Sequence, residues 1–196
     1  VFEAMGHGAL DAVNTPVLGP DGRLEGAGEL QRKLDVISRL LGRESAALPP
    51  PAAPAAPRAD KMPLVLFGAS TGGPAAMADI LSGWPSGITA ALVAVQHVDA
   101  QFAPDLAAWL NRRGRLRVAV AEPGRPPPAG MLSLACTNDH MVFDPAGALQ
   151  YVREPQDCFY RPSVDVFFRS AARHCPAAGV AVLLTGMGRD GGAGLL

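Results

Sequence analysis

From residue 62 onward, short apolar runs alternate with longer runs whose apolar residues recur every three or four positions. LVLF precedes PAAMADIL, ITAALVAV precedes FAPDLAAWLNRR, and LRVAV follows. Strand-sized runs alternating with helix-period runs predict βαβ units, and so a parallel sheet with helices on both faces. MLSLAC, HMVF and ALQYV come next, separated by TND and DPAG, and read as an antiparallel hairpin or meander. RPSVDVFFRSAARHC reads as a helix. Ser163 can cap it, Asp165 favours its first turn, and Val164, Phe167, Phe168, Ala171 and Ala172 form one apolar stripe. GVAVLLT then reads as a buried strand leading into GMGRDGG. The fold class expected is α/β: a mainly parallel, doubly wound, Rossmann-like sheet with an added antiparallel hairpin.

Before residue 62 the pattern weakens. RESAALPPPAAPAAPRADK, residues 43–61, is rich in Pro and Ala and nearly free of apolar bulk, which predicts an extended linker. It separates residues 1–42 from a domain over 62–196. In the first piece, ALDAVNTP reads as a short strand ended by Pro16. ELQRKLDVISRLLG reads as a helix with Leu30, Leu34, Ile37 and Leu41 on one face and Gly42 as its C-cap. These few elements cannot bury a core alone.

Composition narrows the class. Of 196 residues, 48% are hydrophobic and 18% charged, the balance of an ordinary globular protein. A formal net charge of -1 gives no electrostatic reason to expect nucleic acid or an anionic membrane as partner. Cys136, Cys158 and Cys175 form no C-x-x-C pair, so they signal neither a disulfide framework nor a zinc site and read as reduced thiols of a cytoplasmic protein. No apolar run reaches the ~18 residues of a membrane span. The chain opens on Val1 rather than Met, and it stops at Leu196 where a glycine-rich turn enters a helix. Both ends are therefore expected to be cuts in a longer protein, and this piece by itself is expected to be weakly active.

In open parallel sheets, ligands bind beyond the carboxyl ends of the strands. Three such ends carry reactive side chains: LVLFGAS ends at Ser70, ITAALVAVQH at His97, and GVAVLLTGMGRD at Asp190. Acyl transfer needs this set, because serine is a poor nucleophile until a histidine takes its proton, and a carboxylate fixes the imidazole. Gly72 and Gly73 let the backbone approach a carbonyl, and N–H groups near Thr71 and Met187 are candidate oxyanion donors. GASTGGP does not suit phosphate: a P-loop requires G-K-[ST], and Ala69 and Ser70 break the G-x-G-x-x-G spacing. GASTG does fit the nucleophile-elbow pattern G-x-S-x-G, but the order Ser, His, Asp is not that of α/β-hydrolases. Singly, each residue has a plain alternative: Ser70 a helix cap, His97 a satisfied buried histidine, Asp190 a turn residue. His140, in TNDHM, is the reserve candidate for the base.

GASTGGP, VQHVDAQFA, FYRPSVDVFF and VLLTGMGRDGGAGL resemble, in order, the signature blocks of the CheB-type protein-glutamate methylesterases of bacterial chemosensory pathways. The resemblance implies a hydrolase that removes methyl esters from glutamyl side chains of methyl-accepting chemoreceptors and also deamidates receptor glutamines; no cofactor or metal is expected. By position it makes Ser70 the nucleophile, His97 the base and Asp190 its orienting partner. Met187 joins the site through its backbone, while Thr71 and the segment Tyr160, Arg161, Pro162, Ser163 border the cleft. VFEAMGHGALDAVNTP is similar to the fourth helix and fifth strand of a response-regulator receiver domain, and ELQRKLDVISRLLG to its last helix. The family's receiver, phosphorylated by the pathway's histidine kinase upstream of Val1, relieves blockage of the esterase cleft. Thr15 stands where receivers have a lysine before the proline, and TNDHM where many members have Pro-Gly. With AMGHGALD, these features are similar to the surface-sensing (Wsp-type) branch. Two rivals differ in class: a non-catalytic receptor- or kinase-docking module, which would bind without releasing methanol, and an esterase of small molecules, which would turn over simple esters.

Overall fold

The computed structural model describes residues 2–6, 9, 12–18, 24–25, 28, 30–31, 33–34, 62–87, 89–175, 179–185 and 189–196. In chain order the elements are α1 (Phe2–Gly6), β1 (Val17–Leu18), β2 (Leu24–Glu25), β3 (Leu64–Ala69), α2 (Gly73–Ser82), β4 (Ala91–Gln96), a 3₁₀ turn (Ala100–Phe102), α3 (Ala103–Arg113), β5 (Arg117–Val120), β6 (Met131–Leu134), β7 (His140–Phe143), β8 (Leu149–Val152), α4 (Val164–His174), β9 (Gly179–Leu183) and α5 (Gly192–Leu195).

Five strands lie in the order β5-β6-β4-β3-β9, and every neighbouring pair is parallel. The expected parallel sheet is present, and β4 shows why it must be covered twice. All six of its residues are buried. Leu92 and Ala94 face a core with Met77 and Leu81 of α2 and Leu106, Trp109 and Leu110 of α3. Val93 and Val95 face the other core, with Met141, Leu149 and Val164, Phe167 and Phe168 of α4. Alternation along the strand sends successive side chains to opposite faces, so a fully apolar strand needs a helix layer on each.

Three sequence expectations are corrected in this region. MLSLAC is not part of the antiparallel unit: β6 inserts between β4 and β5, parallel to both. Leu132, Ser133 and Leu134 are buried accordingly, as befits an interior strand. Only β7 and β8 form the antiparallel hairpin, with Phe143 opposite Leu149. GVAVLLT is not fully buried: β9 pairs with β3 alone among the described strands, and Val180 and Leu183 are exposed. In α4 the stripe buries Val164, Phe167, Phe168 and Ala171, whereas Ala172 faces solvent.

The first piece differs more. Residues 12–16 form no strand, and the nearby ladder is the two-residue pairing of β1 with β2. Leu30 and Leu34 have helical backbone, but Leu34 is half exposed. Ile37, Leu41, Gly42 and the stretch 43–61 lie outside the described residues. Phe2 of α1 is buried against the α2 and α3 layer, its ring 6.3 Å from that of Trp109. No described helix is long and apolar enough to cross a membrane.

Candidate active site

Ser70 is positioned by strand register. Ala69 of β3 pairs with Gln96 of β4, so Ser70 and His97 are the next positions on adjacent parallel strands. The His97 N–H donates to the Ala69 carbonyl at 2.9 Å, and the Ser70 N–H donates to the Thr185 carbonyl at 3.0 Å, just past β9. Gln96, 2% exposed, straps the two ends: its Nε2 donates to the carbonyls of Ser70 at 2.8 Å and His97 at 3.3 Å. The Ser70 and His97 strand ends are thus tied by backbone hydrogen bonds and by the buried Gln96 side chain.

The turn after Ser70 depends on glycine twice. Gly72 has φ 78°, the left-handed region, and caps α2. Gly73 lacks room: a Cβ there would lie 2.2 Å from Gln96 Oε1 and 2.6 Å from Ala69 Cβ. Gly73→Ala is therefore expected to lower stability by about 1–3 kcal/mol through overpacking, and to push Gln96 off the Ser70 carbonyl. A urea melt paired with a turnover assay checks both. The Thr71 and Gly72 N–H groups have no carbonyl partner among the described residues and lie at the start of α2. That helix end carries partial positive charge, suited to a developing oxyanion. The Thr71 carbonyl accepts from Thr185 Oγ1 at 2.8 Å, which fixes the peptide plane. Met187, the other proposed donor, lies outside the described residues.

Asp190 reaches His97 from the α4 side. Its Oδ2 is 2.8 Å from His97 Nε2, with both side chains largely buried. An ionised carboxylate only accepts, so Nε2 carries the proton and Nδ1 is left as the ring's base. Nδ1 is buried without a hydrogen-bond partner among the described residues. Asp190 is in turn held by the start of α4. Oδ1 accepts from Ser163 Oγ at 2.7 Å and the Asp165 N–H at 3.0 Å, and Oδ2 accepts from the Val164 N–H at 2.6 Å. With His97, four donors fill the carboxylate's four lone-pair sites. Asp165 completes the clamp in reverse, its Oδ1 accepting from the N–H groups of Gly191 at 2.9 Å and Gly194 at 2.6 Å.

Burial pushes the Asp190 carboxyl up, but the hydrogen bonds from His97, Ser163 and Asp165 outweigh it and hold the group below the ordinary aspartate value of 3.8. Its folded value being depressed, Asp190 contributes stability that is complete above the unfolded value and is lost as pH falls through the folded one. The urea midpoint is expected to fall as pH drops below about 4, and less steeply in Asp190→Asn; equal slopes would contradict this.

Tyr160 lies flat on the His97 imidazole, ring centroids 4.5 Å apart and planes within 4°. Phe159, 63% exposed, packs edge-on against Tyr160. Tyr160 thus covers one face of the His97 ring. Arg161 is engaged elsewhere: its Nε donates to the Asn138 carbonyl at 3.3 Å and Nη2 meets Asp139 at 3.2 Å, anchoring the segment that carries Tyr160. His140 is fully buried and bonded through both ring nitrogens, to Pro155 and Ser163, so it does not face Ser70 as a base. Asp165, Gln96 and Thr185 were not expected in site roles, and Ser163 was expected to border the cleft rather than to hold Asp190. A serine cap leading a helix was visible, but nothing local marks which carboxylate that helix receives. Among the described residues, no cluster of three or more His, Cys, Asp or Glu could hold a metal.

A serine beside a carboxylate-held histidine, at the mouth of a parallel sheet, can perform acyl transfer, and comparison with known proteins agrees. The family model described as CheB methylesterase matches residues 65–196. The chain is 49% identical over 195 residues to "Protein-glutamate methylesterase/protein-glutamine glutaminase 4" of Burkholderia thailandensis, covering all of this chain and 57% of that protein. It is 50% identical over 195 residues to the "Protein-glutamate methylesterase/protein-glutamine glutaminase 2" of Cupriavidus metallidurans, with the same coverage. The chain thus spans a little over half the length of these curated relatives. The crystal structure of the Thermotoga maritima CheB methylesterase catalytic domain superposes with a TM-score of 0.63 at 31% identity, covering 68% of this chain and 72% of that one. With its parallel fold, its strand-end serine and histidine and the match over residues 65–196, the chain belongs to the CheB methylesterase family.

Proposed function

We propose that the protein is a protein-glutamate methylesterase that also deamidates glutamine, acting on methyl-accepting chemoreceptors in the cytoplasm. The observation that carries this reading is the joint placement of Ser70 and His97 one step beyond paired residues of β3 and β4, with His97 Nε2 bonded to Asp190. Ser70 Oγ attacks the glutamyl ester carbonyl and His97 Nδ1 takes its proton. The tetrahedral oxyanion forms at the start of α2, near the Thr71 and Gly72 amides, with the Met187 amide as a further donor. Collapse expels methanol, protonated by the imidazolium, and leaves a glutamyl ester on Ser70. A water molecule, deprotonated by His97, then hydrolyses that ester and releases glutamate. With a glutamine side chain the leaving group is ammonia and the later steps are the same. Asp190 keeps Nε2 protonated and stabilises the imidazolium without taking the proton.

We further read residues 1–42 as the end of a receiver domain, 43–61 as a linker and 62–196 as the catalytic domain, with receiver phosphorylation by a histidine kinase opening the cleft. The contact of Phe2 with the α2 and α3 layer supports direct packing of the first piece on the catalytic domain. The test is methanol release from methyl-esterified receptor membranes by the full-length protein, with and without a phosphodonor. Receptor binding with no methanol would instead favour the docking module.

A further inference from the structure

Resting on the reading above, we propose that His140 is a positioning residue for the reaction, acting on Asp190 through the first turn of α4. The imidazole begins β7 and is fully buried. Nε2 lies 3.0 Å from the Pro155 carbonyl, and Nδ1 accepts the Ser163 N–H at 3.0 Å. A carbonyl accepts and an amide donates, so the ring must be neutral with its proton on Nε2.

Packing alone does not call for an imidazole there. Met141 and Phe143 of the same strand already fill the core under α4, and burying a polar ring costs free energy unless both nitrogens are used. What the ring secures is Ser163, 2% exposed, whose amide precedes the helix and has no other acceptor among the described residues. Three of the four donors on Asp190 hang from this turn: Ser163 Oγ, Val164 N–H and Asp165 N–H. A few tenths of an ångström at Ser163 moves all three together. Asp139, next to His140, pairs with Arg161, which ties the same two segments a second time on the Tyr160 side. His140 therefore sets the carboxylate that sets His97, without touching substrate.

The test separates the two ring nitrogens in the full-length protein. His140→Asn can place an oxygen near the Nδ1 position and accept from Ser163. His140→Gln reaches toward Pro155 and leaves the Ser163 amide unpaired. Expected for Gln is a fall in kcat of about tenfold with KM within twofold, and for Asn a kcat within about threefold of wild type. In an Asp190→Asn background, His140→Gln is expected to cost less than about twofold more, because the effect runs through that carboxylate. Equal losses in the two variants, a loss confined to KM, or full additivity with Asp190→Asn would overturn the proposal. Nuclear magnetic resonance gives a readout independent of turnover: the downfield His97 Nε2–H signal should shift in His140→Gln and hold in His140→Asn, and wild-type ¹⁵N shifts should report an Nε2–H tautomer at His140. If the wild type released no methanol, the esterase reading would fail, while an unchanged His97 signal or the opposite His140 tautomer would sink this inference separately.

Discussion

Ser70→Ala is expected to lower kcat for methanol release about 10⁴-fold or more, with KM and receptor affinity nearly unchanged. The magnitude follows from the role. Without Oγ no acyl-enzyme forms, and the remaining amides and His97 can only assist direct attack by water. Stability should barely move, by less than about 0.5 kcal/mol. The Ser70 hydroxyl makes no hydrogen bond to another described residue, and the backbone bonds that hold the turn, Ser70 N–H to Thr185 and Gln96 to the Ser70 carbonyl, survive the substitution. A folded, receptor-binding, inactive protein is therefore the predicted product. An equally active Ser70→Ala protein would show that the strand-end hydroxyl is not the nucleophile.

Asp190→Asn should lose both activity and stability, and this separates it from Ser70→Ala. Turnover is expected to drop on the order of 10⁴-fold, because an amide cannot hold the imidazole in the Nε2–H form or stabilise its cation. The structural cost arises because all four lone-pair sites are occupied. Whichever way the asparagine is turned, its NH₂ meets an N–H: that of Asp165 on one side, or of Val164 on the other. One buried donor is left unpaired, a loss of about 1–3 kcal/mol, and α4 loses the anion at its positive end. Matched urea melts and single-turnover assays should show a lower midpoint as well as the rate loss. A rate loss without a stability loss would mean that the α4 clamp on Asp190 is not energetically important.

Much of the site was legible because its parts sit at places a local pattern can find. Apolar runs alternating with helix-period runs imply a parallel sheet, and such sheets present ligand sites at strand carboxyl ends. Ser70 and His97 lie at two such ends, and Asp190 in the turn after a third. Strand order is a different kind of information. MLSL looks the same whether it begins a meander or inserts between β4 and β5, because its partners lie tens of residues away. GVAVL is apolar enough for an interior strand, yet its burial depends on neighbours that its own residues do not specify. The support of the proposed triad was hidden for the same reason. Ser163 announces a helix cap, but its bond to Asp190 spans 27 positions, and that of Gln96 to Ser70 spans 26. The side chains proposed to carry the chemistry were readable from their types and positions; those that hold them in place required the fold.

The proposed reaction requires that Ser70 be a nucleophile activated by His97. The most direct test is peptide mapping after brief treatment of the full-length protein with a fluorophosphonate, alongside a His97→Ala variant. The predicted result is a single adduct on Ser70 that forms at the pace of methanol-release inactivation and is nearly absent in His97→Ala. An adduct on another residue accompanying inactivation, or equal labelling of Ser70 without His97, would contradict it.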